Sequence, residues 1–124
     1  MKKVMIEFMA VGFAGALGAM LRLAVARIFS WSTFPIGTLI INLAGSLFLG
    51  WFLTIIGERI SISETMRLAI AVGFVGAFTT FSTYLYESHH MYENGAEWRA
   101  ILYLAGSIAL GLIAVRAGIL LGKN

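Results

Sequence analysis

Residues Gly73–Thr83 read GFVGAFTTFST, inside the third of four apolar runs, and this stretch decides the fold. Its flanks, Ile70–Val72 and Tyr84–Tyr86, suit a lipid-facing helix, whereas its middle does not. Gly73 and Gly76 each lower helix propensity by roughly 1 kcal/mol relative to alanine. Thr79, Thr80, Ser82 and Thr83 then place four hydroxyls within five residues. Such hydroxyls compete for backbone hydrogen bonds and satisfy carbonyls that a broken helix releases. Irregular backbone at membrane depth survives only when it is buried in protein or lines a wet cavity. Interrupted membrane helices are also where ion sites are built. The stretch predicts a helix break with an ion near it.

The rest of the chain has the composition of a polytopic membrane protein. Of its 124 residues, 60% are hydrophobic and 12% charged, with a mean hydropathy of +0.90. A soluble domain carries about 25% charged residues. Apolar runs at about 4–29, 35–57, 65–87 and 96–121 each supply the roughly 20 residues that cross a hydrocarbon core. Only short connections remain, so a single four-helix transmembrane domain over residues 1–124 is expected.

The net charge of +3 and pI of about 9.6 do not point to nucleic acid. The nine Lys and Arg residues sit mostly at span ends, with no basic stripe and no aromatic-rich RNA motif. Lys2, Lys3, Arg59, Arg67 and Lys123 flank the side of the termini, against Arg27 and Arg99 on the other. That five-to-two bias leans toward cytoplasmic termini. With zero cysteines, disulfides and thiolate metal sites are excluded. The opening Met-Lys-Lys and apolar run imitate a signal peptide, but the run is too long and leads straight into further spans, so a retained first helix is expected.

Taken in order, span one carries Gly12, Gly15 and Gly18, a small-residue stripe of the kind that lets membrane helices associate, here read as a face for self-association. Arg22 lies about one turn deeper than Arg27 and reads either as a snorkelling side chain or as part of an electropositive vestibule. Pro35 opens span two, where Thr38 and Asn42 share one face and Gly45 follows. Asn42 reads as interhelical glue or as a donor facing a pore. Ser63 is a weak cap for span three. Phe81 and Tyr84 sit three apart just beyond the hydroxyl cluster, and an aromatic edge is positive enough to face an anion. Glu87 reads as a solvated interfacial carboxylate, and His89, His90 and Glu93 fall in a Ser88–Gly95 connection without a third metal ligand at useful spacing. Tyr103, Ser107 and Gly111 follow in steps of four along span four. No nucleophile–base set or phosphate-cradling loop is present in any span, so an enzyme is not expected.

GALGAMLR at Gly15–Arg22, PIGTLIINLAG at Pro35–Gly45 and GFVGAFTTFST at Gly73–Thr83 together resemble the Fluc/CrcB family of small bacterial and archaeal fluoride channels. The resemblance covers essentially the whole chain. It implies an all-α membrane protein of the cytoplasmic (inner) membrane, assembled as an antiparallel, dual-topology homodimer with two fluoride pores. It implies a structural sodium ion (Na+) at the dimer centre, held by the backbone carbonyls of Gly76 and Thr79. Phe81 would turn a ring edge to fluoride with Asn42 donating nearby; Thr38, Tyr103 and Ser107 would continue the track, with Glu87 near one end and Arg22 in the vestibule. Tyr84 replaces a phenylalanine of the family's pattern, and Gly111 stands where many members carry a second serine.

Fluoride holds its water strongly, so a selective path must replace that shell with close, weak donors such as hydroxyls, an amide and ring edges. Conduction of this kind is passive. The rival reading is a small dual-topology multidrug or guanidinium exchanger, which needs a deep carboxylate in span one; Glu7 lies only about one turn inside the membrane edge. A purely structural membrane subunit would leave Thr38, Asn42, Thr79 and Thr80 without a task.

Overall fold

The computed structural model describes residues 1–124 and is helical from end to end. Helix α1 spans Lys2–Ile28 and α2 spans Ile36–Glu58. The third membrane crossing is composite: α3 (Glu64–Leu68), a π-helical segment (Ala69–Val75), α4 (Gly76–Phe78) and, after a break, α5 (Ser82–Glu93). Helix α6 spans Glu97–Lys123. Four of these stretches, counting Glu64–Glu93 as one, are long and apolar enough to cross a membrane. The all-α class, the four spans and the interruption of the third follow the sequence reading.

Two glycine seams hold the helices together. Along α2 and α6, Gly50 lies against the Val115 carbonyl, Gly118 against the Leu47 carbonyl and the Trp51 amide, and Gly122 against Thr54. A β-carbon at Gly122 would meet Thr54 Cβ at 2.8 Å, and one at Gly118 would meet Trp51 N at 2.8 Å. At the far end of this seam the Arg59 guanidinium donates to the Lys123 carbonyl, closing the C-terminus of α6. Along α1 and the third helix, Gly18 lies against the Phe74 carbonyl, and a β-carbon at Gly73 would stand 2.6 Å from Val11 O. The main-chain approach that a small-residue stripe permits is therefore used within one chain. Gly15 and Gly18 do not form a free association face, which corrects the sequence reading; Gly12, Gly106 and Gly111 remain open.

Local signals set the ends. Ser63 caps α3 by accepting the Met66 N–H at 3.2 Å, and Arg67 reaches back to Glu64 at 2.6 Å. The third crossing does not end near Glu87, as its hydropathy suggested, but runs on to Glu93. Helix formation needs no lipid, and i,i+4 partners carry it outward. The Tyr86 and His90 rings stack at 6.2 Å, and His89 Nε2 lies 3.3 Å from a Glu93 oxygen. The turn comes at Gly95, whose φ of +77° is accessible to glycine at no steric cost. His89, His90 and Glu93 are thus helical, and the connection is only Asn94–Ala96.

Gly118→Leu should break the α2–α6 seam, costing about 1–3 kcal/mol or more through overpacking against backbone. Gly106→Ala, with open space at its β-carbon, should be neutral. Thermal unfolding of the two variants in detergent separates them.

Candidate functional site

The site is built where the third helix stops. Thr79 turns extended (φ −80°, ψ 162°), and α5 resumes at Ser82. In a continuous helix the Thr80 N–H would donate to the Gly76 carbonyl. Here it donates to Asn42 Oδ1 at 2.8 Å, while Asn42 Nδ2 donates to the Thr80 carbonyl at 2.9 Å. The Thr83 N–H, which would have reached the Thr79 carbonyl, donates instead to Thr80 Oγ1 at 3.3 Å. The Thr80 hydroxyl in turn donates to Thr83 Oγ1 at 3.1 Å. Thr79 Oγ1 donates back to the Val75 carbonyl at 2.9 Å, and its methyl occupies the space left by Gly45. The carbonyls of Gly76 and Thr79 consequently lose their helical donors. Unwound carbonyls of this type are the donor set that suits a small hard cation such as sodium.

Beside the break a groove of about 480 Å³ opens between α2, α4 and α6. Asn42, Ser46, Gly76, Thr79, Thr80, Phe81, Tyr84, Ser107 and Gly111 line it, with Leu39, Leu43, Leu49, Val75 and Ile108 as its apolar wall. Phe81 is 71% exposed, its ring 6.1 Å from that of Tyr84 and inclined at 47°. Ser107 Oγ is buried and has no hydrogen-bond partner. Three other hydroxyls in the membrane crossings, those of Thr54, Thr79 and Ser88, bond their own i−4 carbonyl. Ser107 does not, and it lines the groove.

A second groove, of about 310 Å³, lies on the other side of Thr80, lined by Arg22, Thr38, Thr80, Thr83 and Glu87 among apolar residues of α1 and α2. Glu87 is not an isolated interfacial carboxylate. Thr38 Oγ1 donates to one of its oxygens at 2.7 Å and Tyr103 Oη to the other at 2.9 Å. Tyr103 is 2% exposed, its ring held edge-on by Phe34 at 5.4 Å and by Tyr84 at 5.1 Å. The Tyr84 hydroxyl donates to the Leu104 carbonyl at 2.6 Å.

Of the residues singled out from sequence, Asn42, Gly76, Thr79, Phe81, Tyr84 and Ser107 meet in the first groove. Arg22, Thr38 and Glu87 meet in the second, with Tyr103 buried against Glu87. Thr80 and Thr83, read from sequence only as hydroxyls serving the broken backbone, also line grooves, Thr80 both of them and Thr83 the second, and Ser46 had no role assigned from sequence. Ser46 was findable, since it continues the Thr38–Asn42 spacing of four.

A family model described as CrcB-like protein, Camphor Resistance (CrcB), matches residues 9–119. The chain belongs to the CrcB-like family. It is 42% identical to the fluoride-specific ion channel FluC of Chloroflexus aurantiacus over 94% of this chain and 95% of that protein. The protein of the same name from Acidobacterium capsulatum is 38% identical over 95% and 97% of the two chains, and that from Hydrogenovibrio crunogenus 39% identical over 96% and 92%. In this CrcB-like chain the matched region runs from within α1 to within α6 and so contains the break and both grooves.

Asn42→Ala would strand the Thr80 N–H and carbonyl, at about 1–3 kcal/mol for each buried group left unpaired. The expected result is a large loss of stability on denaturant unfolding in micelles, with faster hydrogen exchange at the Thr80 amide than at amides of α6.

Proposed function

We propose that this CrcB-like protein is a fluoride-selective channel that lets fluoride leave the cell passively across the cytoplasmic membrane, lowering fluoride toxicity. Its relatives' name is that of a fluoride-specific ion channel. The observation that carries the reading in this chain is Ser107 Oγ, buried without a partner in a groove shared with the Asn42 amide and the Phe81 ring. These are weak, close donors without formal charge, suited to replacing the hydration shell of a small anion and still releasing it. Arg22 lines the second groove and not this one, where it serves as the positive end of a vestibule that concentrates anions. Phe81 and Tyr84 present ring edges, and Ser107, Tyr103, Thr38 and Glu87 continue the polar track.

The working unit in this reading is an antiparallel homodimer of dual topology. The groove is open along one side of the chain and its key ring, Phe81, is mostly exposed, so a second copy supplies the missing wall. The Gly76 and Thr79 carbonyls of both copies would hold one sodium ion at the centre, offsetting the cost of bringing an anion into the membrane. The exchanger reading lacks its carboxylate: Glu7 lies within the first two turns of α1 and sits 3.8 Å from Lys3.

Proteoliposomes loaded with fluoride or chloride test the proposal. Fast fluoride efflux with chloride retained is expected, with Ser107→Ala and Phe81→Ile each slowing efflux by about tenfold, the loss of one donor contact at the path. Proton-coupled uptake of an organic cation that depends on Glu7, without fluoride efflux, would sink the channel reading.

A further inference from the structure

The Tyr84 hydroxyl stands next to the proposed path and looks available to the ion, yet its proton is committed elsewhere. It donates at 2.6 Å to the Leu104 carbonyl, 20 positions away on α6. Tyr84 is 5% exposed, and its ring sits between those of Phe81 at 6.1 Å and Tyr103 at 5.1 Å. One phenolic proton cannot serve a carbonyl and an anion together.

The accepting carbonyl matters as much as the donor. Carbonyls of an α-helix point along the chain toward the residue four positions on. Leu104 O is therefore directed at the turn of Ser107 and Ile108, both of which line the first groove. A carbonyl oxygen carries a second lone pair beyond the one used by the helix. Left bare beside an anion path, that lone pair repels the ion. The Tyr84 O–H covers it.

We infer that Tyr84 is a positioning residue whose hydroxyl caps the Leu104 carbonyl and ties α5 to α6, and that it does not act as a ligand for the ion. This rests on the fluoride-channel reading of the first groove. The tie fixes the edge of the Tyr84 ring against its two aromatic neighbours and removes a repulsive oxygen from the wall. α5 has few other polar ties to α6: its remaining long-range side-chain bond there runs from Tyr103 to Glu87.

Single-channel fluoride currents in planar bilayers test the inference, because unitary current is independent of how much protein folds. Tyr84→Phe keeps the ring and its two contacts but loses the cap. The unitary fluoride current should fall by about threefold to tenfold, the worth of one hydrogen bond, with chloride still excluded and faster hydrogen exchange along α5. Tyr84→Leu, which also removes the ring, should fall further. An unchanged current and unchanged exchange in Tyr84→Phe would overturn the inference, because the hydroxyl would then do nothing. A fall in unitary current with exchange along α5 unchanged, or entry of chloride, in Tyr84→Phe would overturn it in the other direction by making the hydroxyl an ion ligand. If the unmodified protein passes no fluoride, the channel reading fails on that control; unchanged exchange along α5 of Tyr84→Phe then separately overturns the tie.

Discussion

Asn42 and Thr80 exchange two hydrogen bonds across 38 positions, and the interrupted third helix depends on that exchange. Lipid offers backbone groups no partners, so each N–H and carbonyl released by a break must be satisfied from within the protein. A carboxamide is the side chain that carries a donor and an acceptor side by side, and so can complete both halves of one peptide residue. The Thr80 hydroxyl accepts from the Thr83 N–H and so satisfies one orphan donor in the first turn of α5. The helix can then stop and restart at membrane depth, and Gly76 and Thr79, whose carbonyls have lost their helical donors, line the first groove.

From this anchor the other parts follow as supports. The glycine seams bring α1 against the third helix and α2 against α6 at backbone contact, which leaves little freedom for the elements bearing the grooves. The hydroxyls of Thr38 and Tyr103 each hold one oxygen of Glu87. Phe34 and Tyr84 hold the ring of Tyr103 from two sides. Thr80 stands at the junction, lining both grooves with its main chain fixed by Asn42. A polar wall assembled from weak donors is useful only if the donors cannot wander, and Asn42, Thr38, Tyr103 and Thr80 are each pinned through a second contact.

Much of this was legible in the sequence. The apolar runs gave the spans, and glycines followed by clustered hydroxyls located the interruption to within a few residues. The two glycines did not cause it in the way propensity suggests: Gly73 lies inside the π-helical segment and faces Val11 of α1, and the chain opens later, at Thr79–Phe81. Pairings across long separations were not legible. Nothing local to Glu87 says that a threonine 49 positions earlier donates to it, and hydropathy stopped the helix there because the following Ser-His-His is polar. Nor could a small-residue stripe say whether it meets its own chain or another, since the chemistry of close approach is the same in both.

The π-helical segment Ala69–Val75 has a consequence for how this helix tolerates insertion and deletion. A wide turn of this kind holds one residue more than α geometry requires. A continuous α-helix turns about 100° per residue, so the same extra residue carried in α geometry would swing everything on the N-terminal side by that angle. Gly73 faces α1 only in the present phase. The wide turn absorbs the extra residue with little change of phase, so excising it would relax the local conformation while the seam with α1 stayed close to register, and the segment works as a compensator between two surfaces that must both be met.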